Sequence, residues 1–73
     1  MAKSAQEWLA SYAAELGTDP PTESELDQLL ELARIAARAS ERTAAPITCW
    51  LAARAGTEPG DALAAGRRLA EEE

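Results

Sequence analysis

The stretch from Ser24 to Gly56 constrains the fold of this 73-residue chain more than any other. It reads as one long helix, a short elbow and a second helix. Apolar residues cover most of the circumference of the first helix, which is typical of a helix buried on most sides. Its polar residues instead form one line along the helix axis. That line consists of Asp27, Glu31, Arg34 and Arg38. The sequence therefore predicts a central, largely buried second helix whose charged stripe faces water or a partner.

The elbow ASERTAAP follows this helix and carries Glu41 and Arg42, which we expect to extend the charged stripe beyond Arg38. Thr43 is a candidate N-cap for the next helix. Pro46 fits the first turn of that helix, where its missing N–H costs nothing. The elbow therefore predicts a sharp break between two helices.

The helix after the elbow is again mostly apolar, and Gly56 is expected to end it in the left-handed conformation. Two helices this apolar are expected to bury each other. We therefore predict that Leu30 and Leu51 lie in the core.

Two further helices flank this stretch and complete a small all-α four-helix bundle. Ser4 with Glu7 forms a capping box before an apolar face that ends at Gly17, which predicts a helix over residues 5–16. The linker 18–21 contains two prolines and is expected to be rigid and non-helical. Thr22 with Glu25 is a second capping box, which opens the central helix.

The fourth helix is expected to follow Gly56, with Thr57 as its cap and Pro59 in its first turn. Gly66 lies inside this helix and costs about 1 kcal/mol relative to alanine. Close helix packing and neutral drift are both open explanations. The inner face is expected to consist of Leu63, Gly66, Leu69 and Ala70.

Length and charge predict one domain over residues 1–73, with an ordered part of about 4–70. The net charge of −6 and the pI near 4.5 argue against nucleic acid and anionic membranes as partners. No apolar run approaches the roughly 20 residues of a membrane span, and the start has no signal-peptide pattern. With a single cysteine, a cytoplasmic location is expected.

The residue types argue against catalysis. Histidine is absent, so no nucleophile can pair with an imidazole, and no Cys or His pair is available for zinc. We expect no enzyme activity, cofactor or metal. Cys49 is either a reactive thiol or a small buried hydrophobe, and the second interpretation is favoured. Trp8 and Trp50 are either core residues or exposed anchors for a partner, and the core is favoured because aromatic residues are scarce.

The arginines suggest a more specific functional hypothesis than Cys49 or the tryptophans do. Arg34, Arg38 and Arg42 recur at steps of four in an acidic chain. Pairing with neighbouring acids, contact with an acidic partner surface and binding of a small anion are all open. We expect Arg34 to pair with Glu31, and Arg38 and Arg42 to face a partner.

The segments EWLASYAAELG and ASERTAAPITCWLA resemble a family of small bacterial all-helical domains of unknown function. The resemblance covers nearly the whole chain, and the elbow is its most specific part. Members occur alone or associated with proteins of molybdopterin-guanine dinucleotide biosynthesis, a nucleotidyltransferase pathway. Many members carry a histidine where this chain has Arg38, so the resemblance implies no metal or acid–base role there.

The combined expectation is a non-enzymatic accessory or protein-interaction module, which the resemblance places in molybdenum cofactor biosynthesis with a nucleotidyltransferase as its protein partner. The alternatives are a homo-oligomeric helical protein and a small anion- or nucleotide-binding domain that uses the arginines. The candidate partner-binding residues are Arg34, Arg38, Glu41, Arg42 and Trp50.

Overall fold

The computed structural model describes residues 4–72, which form four α-helices and no strand. The helices are α1 (Ala5–Leu16), α2 (Glu23–Ala39), α3 (Ala44–Arg54) and α4 (Pro59–Glu72). The all-helical prediction is therefore confirmed for this range. Helix α4 continues past the predicted ordered part, while residues 1–3 and 73 lie outside the described residues.

Local capping interactions set the starts of α1 and α2. The Ser4 hydroxyl accepts a hydrogen bond from the Glu7 N–H at 3.1 Å, and the Glu7 carboxylate accepts one from the Ser4 N–H at 3.0 Å. Thr22 and Glu25 repeat this exchange at 3.1 and 2.8 Å. Both predicted capping boxes are confirmed. The prediction that the Thr43 side chain caps α3 is wrong, because the Thr43 backbone is already helical and its hydroxyl makes no capping hydrogen bond.

Helix α2 packs against both α3 and α4, whereas α3 and α4 make little contact with each other. Its one fully buried side chain is Leu32, at 2% exposure. Leu30 was predicted to be buried but is 51% exposed. It lies on the same exposed line as Asp27 and Arg34, at helical steps of three and four. The predicted largely buried central helix is therefore not confirmed, although α2 does connect the packed body.

A glycine on α4 allows that helix to approach α2 closely. A Cβ atom at Gly66 would lie 2.6 Å from Cδ1 of Leu32, so any side chain there would require Leu32 to shift. This close approach favours the packing explanation of the glycine over drift. The core around Leu32 is completed by Ala62 and Leu63, with Ile35, Cys49 and Ala52 packed against it.

Helix α3 faces this core with small side chains. Thr48, Cys49 and Ala52 are half-buried on the inner side, while Leu51 points away and is 53% exposed. The prediction that Leu51 is buried is wrong. An α3 that packs through small residues lies close to α2, and its bulky residues are left on the opposite side.

Helix α1 makes few contacts with the other helices and lies beside the start of α2. A cavity there is lined by Leu9 and Ala10 of α1, by Pro20 and Pro21 of the linker, and by Leu26 of α2. Thus α2, α3 and α4 form the packed body, and α1 is attached at one end.

These packing differences predict contrasting costs for three leucine substitutions. Leu32→Ala should lower the free energy of unfolding by about 2–5 kcal/mol, because it removes the most completely buried large side chain among residues 4–72. Leu30→Ala and Leu51→Ala should cost less than about 1 kcal/mol, since about half of each side chain already contacts water. Urea denaturation followed by circular dichroism measures all three. Equal losses would contradict this assignment of the core.

Candidate interaction surfaces

The outer side of α3 carries three large apolar side chains. Ile47, Trp50 and Leu51 are spaced so that they share one side of the helix, and all are more than half exposed. We call these three residues the α3 outer face. A contiguous exposed patch of this kind is typical of an interaction site rather than of a monomer surface.

Trp50 is held in place on this face by a charged neighbour one turn later. The Arg54 guanidinium lies over the Trp50 ring, 5.0 Å from its centroid. Such a cation–π contact contributes roughly 0.5–1 kcal/mol at an exposed site. The interpretation of Trp50 as a core residue is wrong, because the inner side of α3 is occupied by small residues. Its prediction as a partner-binding residue stays open.

A second exposed apolar surface lies on α1, where Trp8, Tyr12 and Leu16 follow each other at steps of four. We call these residues the α1 stripe. The Trp8 and Tyr12 rings are stacked, with centroids 6.2 Å apart and planes at 7°. The core interpretation of Trp8, which is 60% exposed, is wrong because α1 turns only Leu9 and Ala13 away from solvent.

Arg34 is paired as predicted. Its Nε lies 3.3 Å from the Glu31 carboxylate, one helical turn before it. Both side chains are substantially exposed, so the pair contributes at most about 1 kcal/mol. The pairing is the internal one expected for Arg34, and about half of its side chain remains exposed.

Arg38, Glu41 and Arg42 have no ion pair with any residue in the part of the chain that the structure describes. Helix α2 ends at Ala39, and Ser40 then adopts φ −134° and ψ −102°, which changes the chain direction. Arg42 therefore lies in a turn and does not continue the line of Arg38 along the helix. The predicted extension of the stripe is wrong in geometry, while the partner-binding role of these residues stays a prediction.

Because α3 and α4 both pack on α2 and make little contact with each other, an apolar groove opens between them. Two adjoining cavities of about 300 and 220 Å³ share Leu32, Thr48, Gly66 and Leu69 in their lining. The larger one extends past Ile35 and Ala36 to the end of α2. We call this feature the α3/α4 groove. No arginine lines it.

Cys49 lies on the inner side of α3, with its Sγ 3.9 Å from the Leu29 carbonyl oxygen. Burial raises the pKa of the thiol, because the thiolate would be poorly solvated there. This placement agrees with the interpretation of Cys49 as a small buried hydrophobe. Among residues 4–72, no group of Asp, Glu, Cys or His is arranged to hold a metal ion.

The sequence analysis missed four of the six residues in the two exposed surfaces: Tyr12, Leu16, Ile47 and Leu51. A usable signal was present on α3, where small residues occupy one side and bulky residues the other. Small residues allow close helix approach, so the small side is the one expected to face α2.

The fold and its surfaces define a small all-helical domain with large apolar side chains turned outward. None of the helices formed by residues 4–72 is long and apolar enough to cross a bilayer. The sequence matches the family described as Domain of unknown function (DUF6457) over residues 1–73, and the chain belongs to that family. No curated protein and no solved structure matches it.

The position of Cys49 predicts slow thiol chemistry in the folded chain. Since the folded-state pKa is raised, the thiol stays protonated at neutral pH and reacts less than a free cysteine. Labelling with a chromogenic disulfide at pH 8 should be slow in buffer and rapid in urea. Equal rates in both conditions would contradict this placement and indicate an exposed thiolate.

Proposed function

We propose that the chain is a non-enzymatic protein-interaction module that binds a partner protein through the α3 outer face. The observation that carries this proposal is the exposure of Ile47, Trp50 and Leu51 on one side of a well-formed helix. About half of each side chain is already covered, so burial of the rest is worth roughly 0.8–1.5 kcal/mol each. A partner that covers them recovers that energy.

The residue types on this face also favour protein binding. Tryptophan and arginine are enriched among residues that dominate interface energies, and Trp50 with Arg54 forms such a pair. The positions 47, 50, 51 and 54 follow the spacing by which a helix presents anchors to a groove. Because Arg54 lies over Trp50, less side-chain freedom is lost on binding.

Two exposed cations precede α3 in the chain. Arg38 is in the last turn of α2, and Arg42 is in the turn before α3. Unpaired exposed cations accelerate association with an acidic surface and make it sensitive to salt. We assign Arg38 and Arg42 to the rim of the interface, with Glu41 between them in the turn, and Arg34 to the fold.

The proposal also names a class of partner protein. The resemblance described above supports a nucleotidyltransferase of molybdopterin-guanine dinucleotide biosynthesis in the cytoplasm. Purified nucleotidyltransferase is therefore the first partner to test, and molybdenum cofactor assembly is the proposed setting of the interaction.

The anion- or nucleotide-binding alternative has less support. Three cavities in the described part of the chain have linings without an arginine, and their surfaces are mainly apolar. A nucleotide phosphate needs convergent donors, which these cavities lack. Self-association is favoured by a different surface, the α1 stripe.

Two exposed tryptophans provide a matched test of the α3 outer face. Trp50→Ala should weaken capture of the partner by about 30-fold or more, as expected for a central anchor. Trp8→Ala should leave capture unchanged, although it removes an equally large exposed ring. Calorimetric titration measures affinity, and circular dichroism verifies that each variant is folded. Equal weakening by both variants would contradict the assignment of the site.

The arginine assignment predicts an effect on the association rate. Arg38→Gln combined with Arg42→Gln should slow association and flatten its dependence on salt, because steering charges are lost. The matched control is Arg34→Gln, which should leave the rate unchanged and lower stability by at most about 1 kcal/mol. Stopped-flow fluorescence at several salt concentrations measures the rates. A control as slow as the double variant would place the site elsewhere.

A further inference from the structure

We propose that two copies of the chain form a two-fold dimer in which the α1 stripe of each copy docks into the α3/α4 groove of the other. The α3 outer face takes no part in this contact and remains available to a different protein. The proposal therefore goes beyond the proposed function and does not depend on it.

The first observation is that the apolar stripe on α1 is left largely uncovered by residues 4–72. Trp8, Tyr12 and Leu16 are all more than half exposed, and α1 makes few contacts with the other helices. The two aromatic rings are already stacked. An anchor with fixed rings loses little freedom when it is bound.

The second observation is that the α3/α4 groove suits such a stripe. Its floor is Leu32, its walls include Ile35 and Leu69, and its larger cavity is about 300 Å³. The lining is mainly apolar. Large side chains at steps of four along an amphipathic helix are the ordinary ligand of a groove between helices.

The α1 stripe does not occupy the groove of its own chain in this structure. Leu9 and Ala10 of α1 line a cavity with Leu26 in the first turns of α2, whereas the groove begins at Leu32 and extends to Ala39. From Leu26 the helix rises roughly 9 Å to Leu32 and roughly 20 Å to Ala39. The short linker with Pro20 and Pro21 holds α1 at the start of α2, and the stripe is exposed there. The stripe of another copy is therefore the occupant that we assign to the groove.

Charge supplies the third observation. Residues 4–33 contain seven acidic residues and no basic one, whereas residues 34–72 contain six arginines and five acidic residues. The stripe thus lies in the acidic part of the chain, and most of the groove lies in the part that carries every arginine. A dimer that places residues 4–33 of one copy against residues 34–72 of the other brings carboxylates close to arginines. Each copy nevertheless has a net charge of −6.

Reciprocity doubles the contact. If each copy both inserts its stripe and receives the stripe of its partner, the contact occurs twice and the assembly closes. Six large side chains are then covered. Specific interfaces usually bury at least about 1,200 Å² in total, so the second contact contributes area that a stable dimer needs.

Sedimentation and the fluorescence of Trp8 test the proposal together. In Trp50→Phe, Trp8 is the one remaining tryptophan of the chain. As concentration rises, the sedimentation coefficient should change from monomer to dimer, and the Trp8 emission should shift to shorter wavelength in parallel. A chain that stays monomeric at millimolar concentration, or dimerises with no shift in Trp8 emission, overturns the proposal.

Variants on each side identify the contact. Trp8→Ala with Leu16→Ala removes the stripe, and Leu69→Asp places a charge in the groove at an exposed position. Each should raise the dimer dissociation constant by about 30-fold or more. Ile47→Ala, on the α3 outer face, is the matched control and should leave dimerisation unchanged.

The last measurement mixes the Trp8→Ala, Leu16→Ala variant with the Leu69→Asp variant. One copy then keeps an intact groove and the other an intact stripe, so the mixed pair retains one of the two contacts. It should associate more tightly than either variant alone, by about tenfold or more. Loss of dimer in only one of the two variants, or in the Ile47→Ala control, overturns the assignment. So does a mixture no tighter than its components.

Discussion

The contact between Leu32 and Gly66 is the constraint on which the packed body depends. A Cβ atom at position 66 would lie 2.6 Å from the Leu32 side chain, so α4 lies close enough to α2 that any side chain at position 66 would require Leu32 to shift. Leu32 is also the most completely buried large side chain among residues 4–72. Since α3 and α4 pack on α2 and scarcely on each other, this point joins the three helices.

Helices that pack through small residues bury little apolar surface area. The buried residues of the described chain are Ala13, Leu32, Ala62 and Leu63, and alanine contributes little apolar surface. Domains of this length are already marginal in the fraction of surface that they bury. Binding a partner or a second copy adds stability by mass action. Association therefore fits the energetics of this chain as well as its surfaces.

The sequence predicted those features that local chemistry determines. Helix bounds follow from capping boxes at Ser4 and Thr22, and from Gly17 and Gly56, whose positive φ values end α1 and α3. Each of these signals acts within a few residues, so no knowledge of packing is required. The pairing of Arg34 with Glu31 was predictable for the same reason.

The orientation of the helices could not be predicted in this way. When a helix is apolar on most sides, its periodicity does not identify the side that faces the core. Leu30 and Leu51 were accordingly placed inside, as were both tryptophans. Arg42 was misplaced because helical spacing was continued through Ser40, where the backbone leaves the helix. Each error arose where tertiary packing or chain direction, rather than local preference, decides the outcome.

The same small-residue packing explains why the exposed surfaces exist. Helix α3 turns Thr48, Cys49 and Ala52 toward α2, so its bulky residues are displaced to the outside. Helix α1 lies apart from the packed body of α2, α3 and α4, since the linker prolines hold it at the start of α2. The two surfaces thus arise from separate causes and lie on separate helices. One chain can therefore use the α1 stripe for a second copy and the α3 outer face for a different protein, without competition between them.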